Sequence, residues 1–139
     1  MTPPPPDLLL ARKVLAAQPF SVLVGARLEV FEPGRAVLAL DIRDDLKQQN
    51  GFVHGGVLAY AADNAITFAA GTVLGPAVLT GGVTISYVRP AVGATLEAEA
   101  TMASGGRRQA TCRCDLFTVA PDGARTLCAV AQGTVLTAG

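Results

Sequence analysis

The sequence has no tryptophan, a single histidine and only three cysteines, and its 11 basic and 11 acidic side chains cancel. With five Phe, two Tyr and no net positive charge, it offers few stacking platforms and no field for a phosphodiester backbone, which argues against nucleic-acid binding. Three cysteines are an odd number and too few for the disulfide framework of a small secreted domain, so reduced thiols and a cytoplasmic setting are expected. Cys112, Cys114 and Cys128 have neither a second histidine nor a Cys-x-x-Cys spacing beside them, and small core residues, with no metal, is the better reading. No run of 18 residues is free of charge and turn signals, so no membrane span is expected. Met1-Thr2 followed by Pro3 to Pro6 lacks the basic start and apolar core of a secretory signal.

Half of the 139 residues are hydrophobic and 16% are charged, the texture of one globular domain over 1–139. Its front is a proline-rich tail at 1–6 and a short helix at 7–18, with Asp7 as N-cap and Pro19 as its end. From Gly25 the pattern alternates, turns at Glu32-Pro33-Gly34 and resumes over Arg35 to Ile42, a hairpin. Asp44 to Val53 is polar and irregular, with Asp44-Asp45 as a solvated turn. Gly55 to about Ala70 reads as a helix apolar on nearly every side and therefore buried on nearly every side. Four strand-like runs follow, Val78 to Val88, Thr95 to Ser104, Arg107 to Val119 and Arg125 to Thr137, with connections short enough for a meander of neighbouring antiparallel strands. One long helix and about six strands give an α+β fold whose curved antiparallel sheet wraps the helix.

Two places in this pattern invite chemistry. His54 precedes Gly55 and Gly56 at the start of the helix, where first-turn N–H groups lack intrahelical partners and the helix dipole is positive. Such donors can hold a developing oxyanion, although a His-Gly-Gly also serves plain packing and a lone histidine is more often structural. Asp63 falls in the middle of the apolar run, where an unpaired carboxylate costs several kcal/mol of desolvation. It is either satisfied by hydroxyls and backbone or a general base or nucleophile facing a cleft. Thr67 lies one turn on along the same face, and Asn64 points elsewhere.

The stretch Gln48 to Ala65, with Gly51, His54-Gly55-Gly56 and an acid nine residues after the histidine, resembles the hotdog-fold acyl-CoA thioesterases of the phenylacetate-degradation (PaaI-like) branch. Ile85-Ser86-Tyr87-Val88-Arg89-Pro90-Ala91, followed by Gly93 and Leu96, is similar to that family's strand after the helix, and the likeness covers roughly residues 20 to 137. It implies a hotdog fold and hydrolysis of an acyl-CoA, aromatic by family preference, with no separate cofactor because coenzyme A is part of the substrate. It also implies that Gly55 donates the oxyanion-hole N–H, that Asp63 is the catalytic carboxylate, and that Gln48 stands beside the thioester carbonyl. A water-holding hydroxyl falls at Thr67 in some relatives and at Thr80 in others. His54 and Gly56 border the substrate, Asn50 is a loop residue close by, and Arg89 sits on the ligand side. Gly105-Gly106-Arg107-Arg108 is either a solvated hairpin turn or a grip on the coenzyme A phosphates.

Helix geometry adds a constraint. Asp63 lies eight residues beyond Gly55, about 12 Å at 1.5 Å per residue, so one chain cannot bring both to one carbonyl. A homodimer with antiparallel central helices can, giving two equivalent shared sites, and a dimer of dimers is the larger alternative. Two other readings stand beside the thioesterase: a hotdog dimer that binds an acyl-CoA or a small aromatic ligand without turnover, and a hotdog hydratase using His54 with an acid.

Overall fold

The computed structural model describes residues 7–138, so the proline tail at 1–6 lies outside the described residues. Asp7 caps the first helix, α1 (Leu8–Ala16), its carboxylate accepting from the N–H groups of Leu9 at 3.0 Å and Leu10 at 3.3 Å. Pro19 does more than end α1. It opens a second short helix, α2 (Pro19–Val24), where the missing N–H is harmless because first-turn donors have no intrahelical partner. The hairpin β1 (Arg27–Glu32) and β2 (Arg35–Asp41) follows, then a 3₁₀ turn at Asp44–Leu46 and the central helix α3 (Gly55–Leu74). This helix runs through Gly71 and ends four residues beyond the expected Ala70, because burial of Ala69 and Ala70 outweighs the modest cost of one helical glycine. Strands β3 (Val78–Tyr87), β4 (Thr95–Gly105), β5 (Gln109–Val119) and β6 (Arg125–Thr137) complete the fold.

The six strands form one antiparallel sheet in the order β1-β2-β4-β5-β6-β3. The expected meander holds only for β4, β5 and β6. After β3 the chain crosses from one edge of the sheet to its middle, and the crossing is tied down as it goes. Val88 and Arg89 donate to Cys128 O, Val53 donates to Ala91 O, and Ala94 donates to Val119 O. So short a link can make this crossing only because the sheet is strongly curled around α3.

The concave face of the sheet presents Leu38, Leu40, Leu96, Ala98, Leu116 and Val135, each at most 1% exposed, to Ala62, Ala65, Ile66 and Ala69 of α3. Alternation puts these residues on one face, and the small alanines let helix and sheet approach closely. Fully burying Ile66 alone contributes about 1.5–3 kcal/mol. α3 is also the one described helix long and apolar enough to cross a membrane, and its place is this core.

The expectation that α3 is buried on nearly every side leaves one side open. Gly56 and Asp63 are exposed, and Ala59 and Thr67 are half-buried between and beyond them. At offsets of three, seven and eleven residues from Gly56 they form one open stripe along the helix. The sheet edges differ in the same way. The β1 edge is covered by α1, with Arg12 Nε donating to Leu28 O at 2.9 Å, whereas the β3 edge has no strand beyond it among the described residues. Leu79 and Tyr87 on β3 are 66% and 52% exposed.

Candidate active site

Two groups of residues lie along the open stripe of α3, one at its start and one two turns on. At the start, His54 is the N-cap. Its Nδ1 accepts from Gly56 N–H at 2.8 Å, and its carbonyl accepts from Val57 N–H at 2.9 Å. A Cβ on Gly56 would meet His54 Nδ1 at 3.0 Å, so this glycine makes room for the cap, and its N–H is committed to the histidine. Gly55 N–H has no partner among the described residues. Its other side is packed: Tyr87 Oη donates to Gly55 O at 2.9 Å, and a Cβ on Gly55 would meet the tyrosine ring at 3.3 Å. Tyr87 escaped the sequence reading as a site residue; the signal was its position in the Ile85 to Pro90 stretch that carries the resemblance.

Gln48 reaches the same place from a tight turn in which its N–H donates to Phe52 O and its carbonyl accepts from Gly51 N–H. Its Oε1 accepts from the backbone N–H of Asn50, which leaves the side-chain NH₂ without a partner among the described residues. Gln48, Gly55, Tyr87 and Arg89 line one surface pocket together with Phe52 and Pro90. Arg89 is exposed there, one guanidinium nitrogen donating to Leu127 O at 3.0 Å. Asn50 lies outside the lining of this pocket, and its backbone N–H is the donor that turns the Gln48 amide.

Eight residues along, Asp63 is exposed rather than buried, and it is held by hydroxyls. Thr80 Oγ1 donates to Asp63 Oδ1 at 2.5 Å, Thr67 Oγ1 donates to Asp63 O at 2.8 Å, and the two hydroxyls are 2.8 Å apart. Thr67 stands 3.5 Å from the carboxylate oxygen. Thr80 is therefore the hydroxyl that fixes the carboxylate, and Thr67 braces Thr80. Asp63 Oδ2 has no partner among the described residues and is open to a water or a substrate.

A β-bulge makes both groups possible. Val78 and Thr80 turn toward the helix at even positions, while Val83, Ile85 and Tyr87 do so at odd ones. The register shifts between Thr80 and Gly82, where Gly81 and Gly82 allow the extra residue, so one strand serves Asp63 and Gly55 alike.

Arg107 and Arg108 stand elsewhere. They lie exposed in the β4–β5 turn, where Arg108 O accepts from Thr137 N–H, and Thr137 pairs with Val78 at the opposite end of β3 from Tyr87. The 10 residues of β3 set those ends about 30 Å apart, so within one chain these cations do not join Gln48, Gly55 and Arg89. The thiols are buried, and burial raises Cys112 to about 11 and pushes Cys114 and Cys128 up as well, so they stay protonated packing groups.

The model of the thioesterase superfamily matches residues 50–123. The chain belongs to that superfamily. A solved structure of a thioesterase family protein from Silicibacter pomeroyi is 28% identical, with 90% of this chain and 93% of that one covered and a TM-score of 0.85. A mutant of the phenylacetic acid degradation protein PaaI from Thermus thermophilus is 33% identical over 86% of this chain and 99% of that one, with a TM-score of 0.76. The Escherichia coli PaaI protein shares the fold at 20% identity, with 93% and 91% covered and a TM-score of 0.81. No curated protein sequence matches significantly. The thioesterase superfamily member described here thus has the hotdog fold, and the PaaI-like resemblance of its motifs is borne out.

The His54 cap carries an expectation of its own. His54→Ala should cost about 1 kcal/mol of stability in denaturant unfolding, because the Gly56 N–H loses its acceptor, and His54→Asn should restore most of it. The Asn variant should also keep the shape of the kcat/KM profile against pH. A stable Asn variant that had lost its neutral-pH inflection together with its activity would make the histidine catalytic.

Proposed function

We propose that this protein is an acyl-CoA thioesterase that works as a homodimer, each active site taking Gly55 and Gln48 from one subunit and Asp63 with Thr80 from the other. The observation that carries the reading is the open stripe of α3, with an unpaired N-terminal N–H at one point and a hydroxyl-anchored carboxylate about 12 Å along it. Two antiparallel α3 helices related by a two-fold axis near Ala59, midway between Gly55 and Asp63, bring each pair together twice. The small side chains at Gly56 and Ala59 permit that approach, and the uncovered β3 edge lies alongside to pair with its own copy. A dimer of dimers is compatible with the same sites.

In this arrangement the thioester carbonyl lies against Gly55 N–H and the Gln48 amide, which stabilise the oxyanion as the carbonyl carbon becomes tetrahedral. The partner's Asp63 Oδ2 takes a proton from a water as its oxygen bonds to that carbon. The C–S bond then breaks, and the thiolate leaves and is protonated as free coenzyme A. Direct attack by Asp63, through an anhydride that water later opens, uses the same residues. Oxygen-18 in Asp63 after one turnover in labelled water marks that second route. Arg89 and, across the dimer, Arg107 and Arg108 supply the positive charge for the coenzyme A phosphates, and His54, Gly56 and Asn50 shape the loop beside them. No cofactor is required beyond the coenzyme A of the substrate. An aromatic acyl group is the first choice, by likeness to the PaaI proteins. Its place is the cytoplasm, in keeping with three free, buried cysteines and with partners that include neither nucleic acid nor a membrane.

The test is a panel of aliphatic, aromatic and enoyl-CoA thioesters at catalytic enzyme concentration, with a thiol reagent and mass detection. Release of free thiol over many turnovers is expected. Stoichiometric binding without release would favour a binding protein, and addition of water without thiol release a hydratase.

A further inference from the structure

Two glycines in a row at the start of a helix are the residues least able to hold a backbone still, and the first turn is where a helix frays. Yet the proposed oxyanion donor, Gly55 N–H, has to keep one direction. The Gly55–Gly56 peptide that follows it is gripped at both ends by side chains. At one end Gly56 N–H donates to His54 Nδ1 at 2.8 Å, and at the other Tyr87 Oη donates to Gly55 O at 2.9 Å.

The tyrosine bond is not one that the helix needs. As the first carbonyl of α3, Gly55 O is in place to accept the N–H four residues on, so the phenol is a second donor to an oxygen the helix already satisfies. Tyr87 is 52% exposed, and its hydroxyl would be equally well hydrogen-bonded in water, so the bond adds little to folding. What it fixes is position. The ring lies against Gly55, where a Cβ would come within 3.3 Å of the phenol oxygen and the carbon that bears it. Strand β3 is shaped to put it there. Thr80 and Tyr87 are an odd number of positions apart and would sit on opposite faces of a regular strand, but the extra residue at Gly81-Gly82 brings both toward α3.

We infer that Tyr87 is a positioning residue of the oxyanion hole: it grips Gly55 O, and through Gly55 it keeps the N–H directed into the pocket that Gln48, Gly55 and Tyr87 line together. The inference rests on the thioesterase reading and deepens it. Without the phenol the peptide has only the His54 grip, and the donor is turned away for part of the time from the place where charge develops. That loss falls on the transition state and leaves ground-state binding as it was.

The test is Tyr87→Phe, which keeps the ring against Gly55 and removes only the phenol oxygen. Its kcat should fall about 3- to 10-fold, by a similar factor for every thioester that the wild type hydrolyses, with KM within about twofold and the melting temperature within about 2 °C of wild type. A second readout uses an acyl-CoA analogue in which CH₂ replaces sulfur, so that the carbonyl is kept but not hydrolysed. Its ¹³C-labelled carbonyl stretch should lie at higher wavenumber on the Phe variant than on the wild type, because it receives a weaker hydrogen bond. An unchanged kcat and stretch would overturn the proposal, and a raised KM with kcat unchanged would overturn it in favour of a direct substrate contact. If the wild type hydrolyses no thioester, the thioesterase reading fails separately, and NMR relaxation of the free protein decides the positioning role. The order parameter of Gly55 N–H should then fall in the Phe variant while that of Val57 N–H holds, and an unchanged Gly55 value would overturn the role.

Discussion

Asp63→Asn should leave a folded protein that has lost at least about 100-fold in kcat, with little change in KM. The amide keeps the shape of the carboxylate and an oxygen for the Thr80 hydroxyl, whose 2.5 Å hydrogen bond is what orients the group. It lacks a basic or nucleophilic second oxygen, and in the native protein that Oδ2 is the atom left open. Because Asp63 is exposed in the subunit, the substitution should move stability by no more than about 0.5 kcal/mol, so lost activity cannot be assigned to unfolding. Hydrolysis of every tested thioester at a near wild-type rate would remove Asp63 from the chemistry.

The parts of this site that the sequence made legible are those set by local rules. An apolar helical pattern and a Gly-Gly start located α3, and alternation with turn residues located the hairpin and the four later strands. A carboxylate inside an apolar run marked Asp63. What escaped depended on tertiary context. Pro19 can stop one helix or start the next, and only the packing of Ser21 and Val24 chooses the second. A short link after β3 suggested a neighbouring strand, but curling of the sheet brings distant strand ends within its reach. Apolarity on nearly every side of α3 suggested burial on nearly every side but did not say which side stays open in the subunit, and the open stripe suits a helix completed by another subunit. Asn64 was set aside as pointing away from Asp63. It does point away, its Nδ2 donating to Gln18 Oε1, Ser21 Oγ and Tyr60 Oη, and an amide on a largely buried helix face was as strong a signal of polar need as the neighbouring acid. The Gly81-Gly82 doublet was not singled out within the Val78 to Val88 run, and only the register shift shows that it serves both Thr80 and Tyr87.

The most direct measurement of the shared-site claim is mixing of two inactive variants, Asp63→Asn and Gly55→Pro. Proline suits position 55 because first-turn donors are unpaired within the helix and because His54, at φ −59° and ψ 135°, already has the extended backbone that a residue before proline prefers. It deletes the one N–H proposed to meet the oxyanion, and the added carbons press on the Tyr87 ring at 3.3 Å, a contact that a modest side-chain shift relieves. Each variant alone should be nearly inactive while folded and dimeric. After subunit exchange, about half of the dimers are mixed, each with one doubly damaged and one intact site, so activity should return to about a quarter of the wild-type value. No return of activity, with exchange demonstrated by mass-tagged subunits, would contradict a site divided between two chains.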